Sequence, residues 1–201
     1  LNGELACLFR RRSWRQTAKI VRAWMLWVIV LDFVTLGVGA ILLPIQTFER
    51  MLLPAAILPP AAFVAAVAFR RQNPFRHQGS LLISSMVLIL LSVALVGVSA
   101  GGEFYERHLT IMLFVAVTAI VIFPIPLGWA GSIAAFALAF YLFFQLRNPY
   151  VDMGSAIAGT LFFTSGMVAT LVARRTATIL AQKTFLLELR DRVRLVVVRQ
   201  H

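Results

Sequence analysis

Six apolar stretches, each about long enough to cross a bilayer, fill almost the whole chain. The hydrocarbon core is about 30 Å thick, and a helix needs about 20 predominantly apolar residues to span it. Hydrophobic residues make up 60% of the sequence and charged residues only 13%, about half the charged share of a soluble domain. Too little polar surface remains to coat a water-soluble globule. Inside a bilayer every backbone donor and acceptor must be satisfied internally. The expected fold is therefore an all-α membrane protein, a six-helix transmembrane bundle.

The spans are expected at 24–43, 51–69, 80–100, 108–126, 127–145 and 154–173. Residues 4–22 read as a basic amphipathic lead-in, with Leu5, Leu8, Phe9 and Trp14 set among Arg10, Arg11, Arg12, Arg15 and Lys19. Such a helix is expected on the membrane surface. Pro54, Pro59 and Pro60 predict a kink in the second span, whose freed carbonyls neighbouring helices must satisfy. A tight Pro124-Ile125-Pro126-Leu127-Gly128 turn joins the fourth and fifth spans.

The net charge of +11 would suit nucleic acid if the Arg residues shared one soluble face. They instead border apolar spans, where they act as topology determinants and lipid-headgroup contacts, so nucleic acid is not an expected partner. The strong basic clusters are residues 10–22, then Arg70, Arg71 and Arg76, then Arg174 and Arg175. The intervening loops are mixed or acidic. By the positive-inside rule both termini are cytoplasmic, and the expected location is a bacterial inner membrane. Both ends read as cut. The single cysteine, Cys7, leaves no intrachain disulfide to form.

After Arg175 the pattern changes. Ile179, Gln182, Leu186, Leu189, Val193 and Val196 follow a 3–4 spacing, as in a coiled-coil seam. No Pro interrupts Ser155 through His201, and no Gly follows Gly166. The sixth span should therefore run into the 174–201 segment as one rod. The expected organisation is a lead-in over 1–22, a six-span sensor domain over 23–173 and a coiled-coil signalling helix over 174–201. The expected assembly is a homodimer through the sixth span and the coiled coil, surrounded by membrane lipid.

No catalytic constellation stands out: there is no phosphate loop, no His pair at metal-ligand spacing and no nucleophile–base arrangement. No metal and no cofactor are expected in this segment. Asp32 lies deep in the first span, where a carboxylate costs about 2.5–3.5 kcal/mol on insertion scales. It reads either as a proton- or ligand-responsive group or as a polar clasp to Ser84, Ser85 or Thr118. Glu103, Glu106 and His108 belong to an outer loop that would suit a small external ligand, or equally an interfacial belt. Tyr141, within an aromatic fifth span, needs a partner for its hydroxyl. Ser155, Gly159 and Gly166 bring small residues to one side of the sixth span and suit a close helix–helix contact.

These features together resemble the N-terminal membrane region of bacterial six-span nucleotide cyclases, membrane-bound diguanylate cyclases of the GGDEF family foremost. The resemblance rests on Arg15-Gln16 before the first span, Asp32 within it and Leu43-Pro44 at its outer end. Arg174-Arg175 and the run Lys183-Thr184-Phe185-Leu186-Leu187 complete it. It implies a parent enzyme that joins two GTP into cyclic di-GMP, with GTP and Mg belonging to a catalytic domain absent from this chain. The membrane region would then receive a signal, with a small apolar or lipid-like ligand as one candidate. The alternatives are the same module feeding a class III adenylate cyclase or a histidine kinase, or a small transporter or channel subunit.

Overall fold

Prolines and glycines set the helix boundaries in this computed structural model, which describes residues 3–71 and 73–199, without the side chains of Arg10 and 195–199. Helix α1, Gly3–Leu42, stops ahead of Pro44, because a proline disfavours helical backbone in the residue before it. The second span is two helices, α2 Ile45–Ala55 and α3 Leu58–Ala68. Their break falls between Pro54 and the Pro59-Pro60 pair, where the sequence predicts a kink. The Ser92 hydroxyl donates to the Pro54 carbonyl at 2.8 Å, so a neighbouring helix adds a second donor at the break to the Ile57 N–H, which lies 3.3 Å from the same oxygen.

Helix α4, Gln78–Ala100, ends at Gly101 and Gly102, with φ of 69° and 58°. Only glycine adopts that backbone without strain. Helix α5, Glu103–Ile122, and helix α6, Leu127–Leu146, are joined by the proline turn. Helix α7, Met153–Arg199, closes the fold with 47 uninterrupted residues, about 70 Å at 1.5 Å per residue. Taking α2 and α3 as one span, six helical segments are long and apolar enough to cross a membrane.

Helix α4 is the hub. It packs against α2, α3, α5 and α6, and Leu82, Met86, Ile89, Leu90 and Ala94 are fully buried on it. Its close approach to α5 depends on Gly97, where a Cβ would meet the Phe104 carbonyl at 2.8 Å and also the His108 side chain. Helices α1 and α7 flank the bundle, α1 against α3 and α7 against α6 and α5. Half of the most apolar window of α4 is buried, against 6% for α1 and 11% for α7. The two flanking helices thus leave most of their apolar surface open to lipid or to a partner.

The lead-in departs from expectation. It is not a separate surface helix but the first five turns of α1, since no Gly or Pro interrupts Glu4 through Leu36. Two of its apolar residues, Phe9 and Trp14, find protein neighbours, whereas Leu8 is exposed. Trp14 stacks on Phe69 at 5.5 Å, meets Phe75 edge-on at 6.0 Å and donates its indole N–H to the Arg71 carbonyl at 3.1 Å. Phe9 packs edge-on against Phe185 of α7 at 5.3 Å, and Arg12 pairs with Glu188 at 3.0 Å.

Candidate functional site

Two features concentrate chemistry. One is a polar cluster at the end of the bundle where α5 begins and α6 stops; the other is the exposed face of α7.

The polar cluster is built from helix ends. Residues Glu103 and Glu106 fall in the first turn of α5, where acidic side chains oppose the positive end of the helix dipole. The expected outer loop over 103–108 is therefore helix, and the span starts five residues earlier than hydropathy alone predicts. Glu106 accepts from the side-chain amides of Gln145, at 2.9 Å, and Asn148, at 3.3 Å. Gln145 also donates to the Tyr141 hydroxyl at 3.1 Å and accepts from Asn148 at 2.9 Å. Tyr105 donates to the Phe144 carbonyl at 2.7 Å. Gln145 and Asn148 are both buried, and buried amides are costly unless their groups are paired. These bonds fix the start of α5 to the end of α6.

The cluster reaches α7 through one contact. A Cβ on Gly159 would lie 3.1 Å from the Tyr141 hydroxyl, so the absence of a side chain lets α7 seat against that oxygen. Tyr141 also meets Phe163 edge-on at 5.0 Å. Glu106, Gln145, Tyr141 and Gly159 thus form a continuous path from α5 through α6 to α7. Asp152 caps the start of α7: its carboxylate accepts from the Ser155 hydroxyl at 2.6 Å and from the Ser155 N–H at 3.1 Å. Those two hydrogen bonds hold the Asp152 carboxyl below its ordinary range.

The remaining residues singled out in the sequence are scattered. Glu103 is exposed and pairs with Arg107 one turn on, at 3.3 Å. His108 turns away from Glu106; its Nδ1 lies 2.9 Å from the Phe104 carbonyl oxygen and its ring covers Gly97. Of the small-residue stripe, Gly159 alone makes a close contact. Ser155 caps the helix end, and Gly166 has nothing near its Cβ position.

Asp32 is half-buried on the stripe that carries Val21, Met25 and Val28 inward. The expected clasp does not form. Its buried Oδ2 has no hydrogen-bond partner among the described residues, and the Thr118 hydroxyl bonds instead to the Val115 carbonyl of its own helix. With its hydroxyl satisfied on its own preceding turn, Thr118 is not a donor to Asp32.

The second feature is α7 itself. It passes Arg174-Arg175 without a break. Along it Ile179, Leu186 and Val193 are exposed, whereas Gln182 and Leu189 are half-buried beside Phe185. The seam residues therefore divide: the first set faces outward, and the second borders the patch that Phe9 and Arg12 cover. Val196 lies outside the described side chains. Counting backward in the same 3–4 spacing gives Arg175, Val172, Val168, Ser165 and Leu161, all exposed, so apolar and polar positions share this face. The outward ridge thus continues in register from the projecting segment into the span. Uniform hydropathy within the span hides this continuation from a sequence reading. Comparison with protein-family models, curated proteins and solved structures gives no match.

Proposed function

We propose that the chain is a membrane sensor and dimerisation module that controls an output domain carried beyond α7, a diguanylate cyclase as the first reading. One observation supports this above the others: α7 leaves the bundle as one continuous helix whose exposed face carries Leu161, Val168, Val172, Ile179, Leu186 and Val193, with Ser165 and Arg175 among them. A helix rigid over that length carries rotation or translation from its packed end to its free end. Two such ridges, one from each copy, would form a homodimeric coiled coil. Ser165 and Arg175 interrupt that outward face, and polar seam positions lower stability and keep alternative registers close in energy. That is the property a two-state transmitter needs.

In this reading both termini are cytoplasmic, the location is a bacterial inner membrane, and the cluster around Glu106 and Tyr141 is the input end. A change at Glu106, or an apolar ligand entering beside Asp32, would shift α6 against Gly159 and so move α7. GTP and Mg belong to the output domain, not to this segment.

Phase insertions test the reading. The chain is joined after Arg199 to a GGDEF catalytic domain, and residues are inserted between Arg175 and Ile179. One added residue rotates the output by about 100°, and seven restore its face to within about 20°. Cyclic di-GMP synthesis is expected to change with one insertion and recover with seven. Synthesis indifferent to phase would reject the transmission mechanism.

A further inference from the structure

Two clefts lie where the lead-in of α1 passes the α3–α4 loop, and both are lined by cations. The larger, of about 1020 Å³, presents Arg11, Arg12 and Arg15 with the Asn73 amide beside them. The smaller, of about 330 Å³, presents Arg15, Lys19, Arg22, Arg70 and Arg71. Arg15 is common to the two, so they form one basic surface. No acidic side chain lines either cleft. Among the described residues, the one cleft cation with a carboxylate partner is Arg12, held by Glu188.

The positive-inside rule accounts for Arg residues beside a membrane, but it does not require two distant stretches to converge. Convergence here has a specific cause. The Trp14 indole bonds to the Arg71 carbonyl and stacks on Phe69, while the Arg71 guanidinium lies over the Phe75 ring at 5.2 Å. This aromatic wall fixes α1 against the loop and presets the spacing of the cations. Like charges held together repel unless an anion joins them. Guanidinium groups arranged this way suit phosphate, whose oxygens accept paired N–H donors.

We propose that this surface binds a phosphate-bearing anion, with Arg15 as the shared ligand of both clefts. The proposal stands independently of the signalling reading. The headgroup of an anionic phospholipid is one source of such a group, and a free organic phosphate is the other.

The test uses the chain in phosphatidylcholine nanodiscs, with phosphatidylglycerol added to the bilayer in one arm and soluble glycerol phosphate in the other. Binding is counted by native mass spectrometry. Saturable binding is expected in at least one arm, and that arm identifies the source. R15Q/R71Q is expected to weaken it by about tenfold or more, since charge-assisted contacts are lost. R15K/R71K should retain more than the glutamine pair, and R175Q/R190Q, whose residues line neither cleft, should match the wild type. R11Q/R22Q, which leaves the aromatic wall untouched, repeats the test if R15Q/R71Q unfolds. The proposal is overturned if neither arm saturates or if the cleft variants bind like wild type. It is overturned equally if R175Q/R190Q loses as much as R15Q/R71Q, because diffuse surface attraction would then explain the binding.

Discussion

Helices α4 and α7 are both apolar enough to cross a membrane, yet one is enclosed by four neighbours and the other is covered on one side only. The difference separates two jobs that hydropathy cannot tell apart. Helix α4 holds the bundle together: Leu82, Met86, Ile89, Leu90 and Ala94 are packed at zero exposure, and Gly97 and Ser92 make close or polar contacts with α5 and α2. Helix α7 is seated on α6 through Gly159 and Phe163, touches α5 and meets α1 at Phe185 and Glu188, and keeps its outward face free. In the proposed reading, the helix that moves or meets a second copy is the loosely held one.

The sharpest way to break this comparison is to put the same large residue on each helix. Gly97→Leu forces bulk against the Phe104 carbonyl and His108 and should cost about 3 kcal/mol or more, as severe overpacking does. Gly166→Leu meets open space and should stay within about 0.5 kcal/mol for the single chain. Unfolding in mixed detergent micelles at low protein concentration measures both. Equal losses would mean that α7 is as tightly enclosed as α4.

Deletions sharpen the same contrast. Met86→Ala opens a cavity at the centre of α4 and should cost about 2 kcal/mol or more, whereas Val168→Ala on the α7 ridge should change the monomer by less than about 0.5 kcal/mol. An Ala substitution at Val168 that destabilised the monomer as much would show that another helix covers it.

The polar cluster sets the next scale. Gln145→Ala removes the group that joins Glu106, Asn148 and Tyr141. Interhelical hydrogen bonds in membranes average about 0.6 kcal/mol, so a loss of about 1–2 kcal/mol is expected for the several bonds broken. Gly159→Ala in the same background should be better tolerated than in wild type, because Tyr141 is then free to withdraw. Additive losses would mean that Gln145 does not hold Tyr141 against α7.

The smallest effect belongs to the α7 cap. Folding lowers the pKa of Asp152 through its Ser155 hydrogen bonds. The capping contribution is therefore fully present above the ordinary aspartate range. It declines as pH falls through that range and is gone once pH is below the lowered folded value. The protection factor for hydrogen exchange at the Ser155 and Ala156 amides, taken against the intrinsic rate at each pH, should fall on that acid side, while Asp152→Asn should flatten the response. An unchanged pH profile in Asp152→Asn would remove the carboxylate from the cap.

Much of this architecture is legible before any fold is seen, for physical reasons. Apolar length accumulates over about 20 residues, so each span announces itself. Pro54, Pro59 and Pro60 act on the local backbone, so the α2–α3 break is readable too. The absence of proline after Met153 likewise predicts the unbroken α7. What sequence could not supply is which residues meet. Gln145 and Asn148 look like an ordinary polar span border until α5 brings Glu106 beside them. Phe9 looks like a lipid-facing residue until Phe185 takes its place as neighbour. Asp32 shows the limit from the other side: its cost was readable, but the absence of a donor depends on where Thr118 turns.

The measurement that bears most directly on α7 is a cysteine scan of the projecting helix, with Cys7 replaced and disulfide formation followed between two copies in native membranes. The two-copy account predicts strong cross-links at Val172, Ile179, Leu186 and Val193, recurring every seven residues across Arg174-Arg175, and little at Phe185. Cross-links without that period, or a maximum at Phe185, would contradict it.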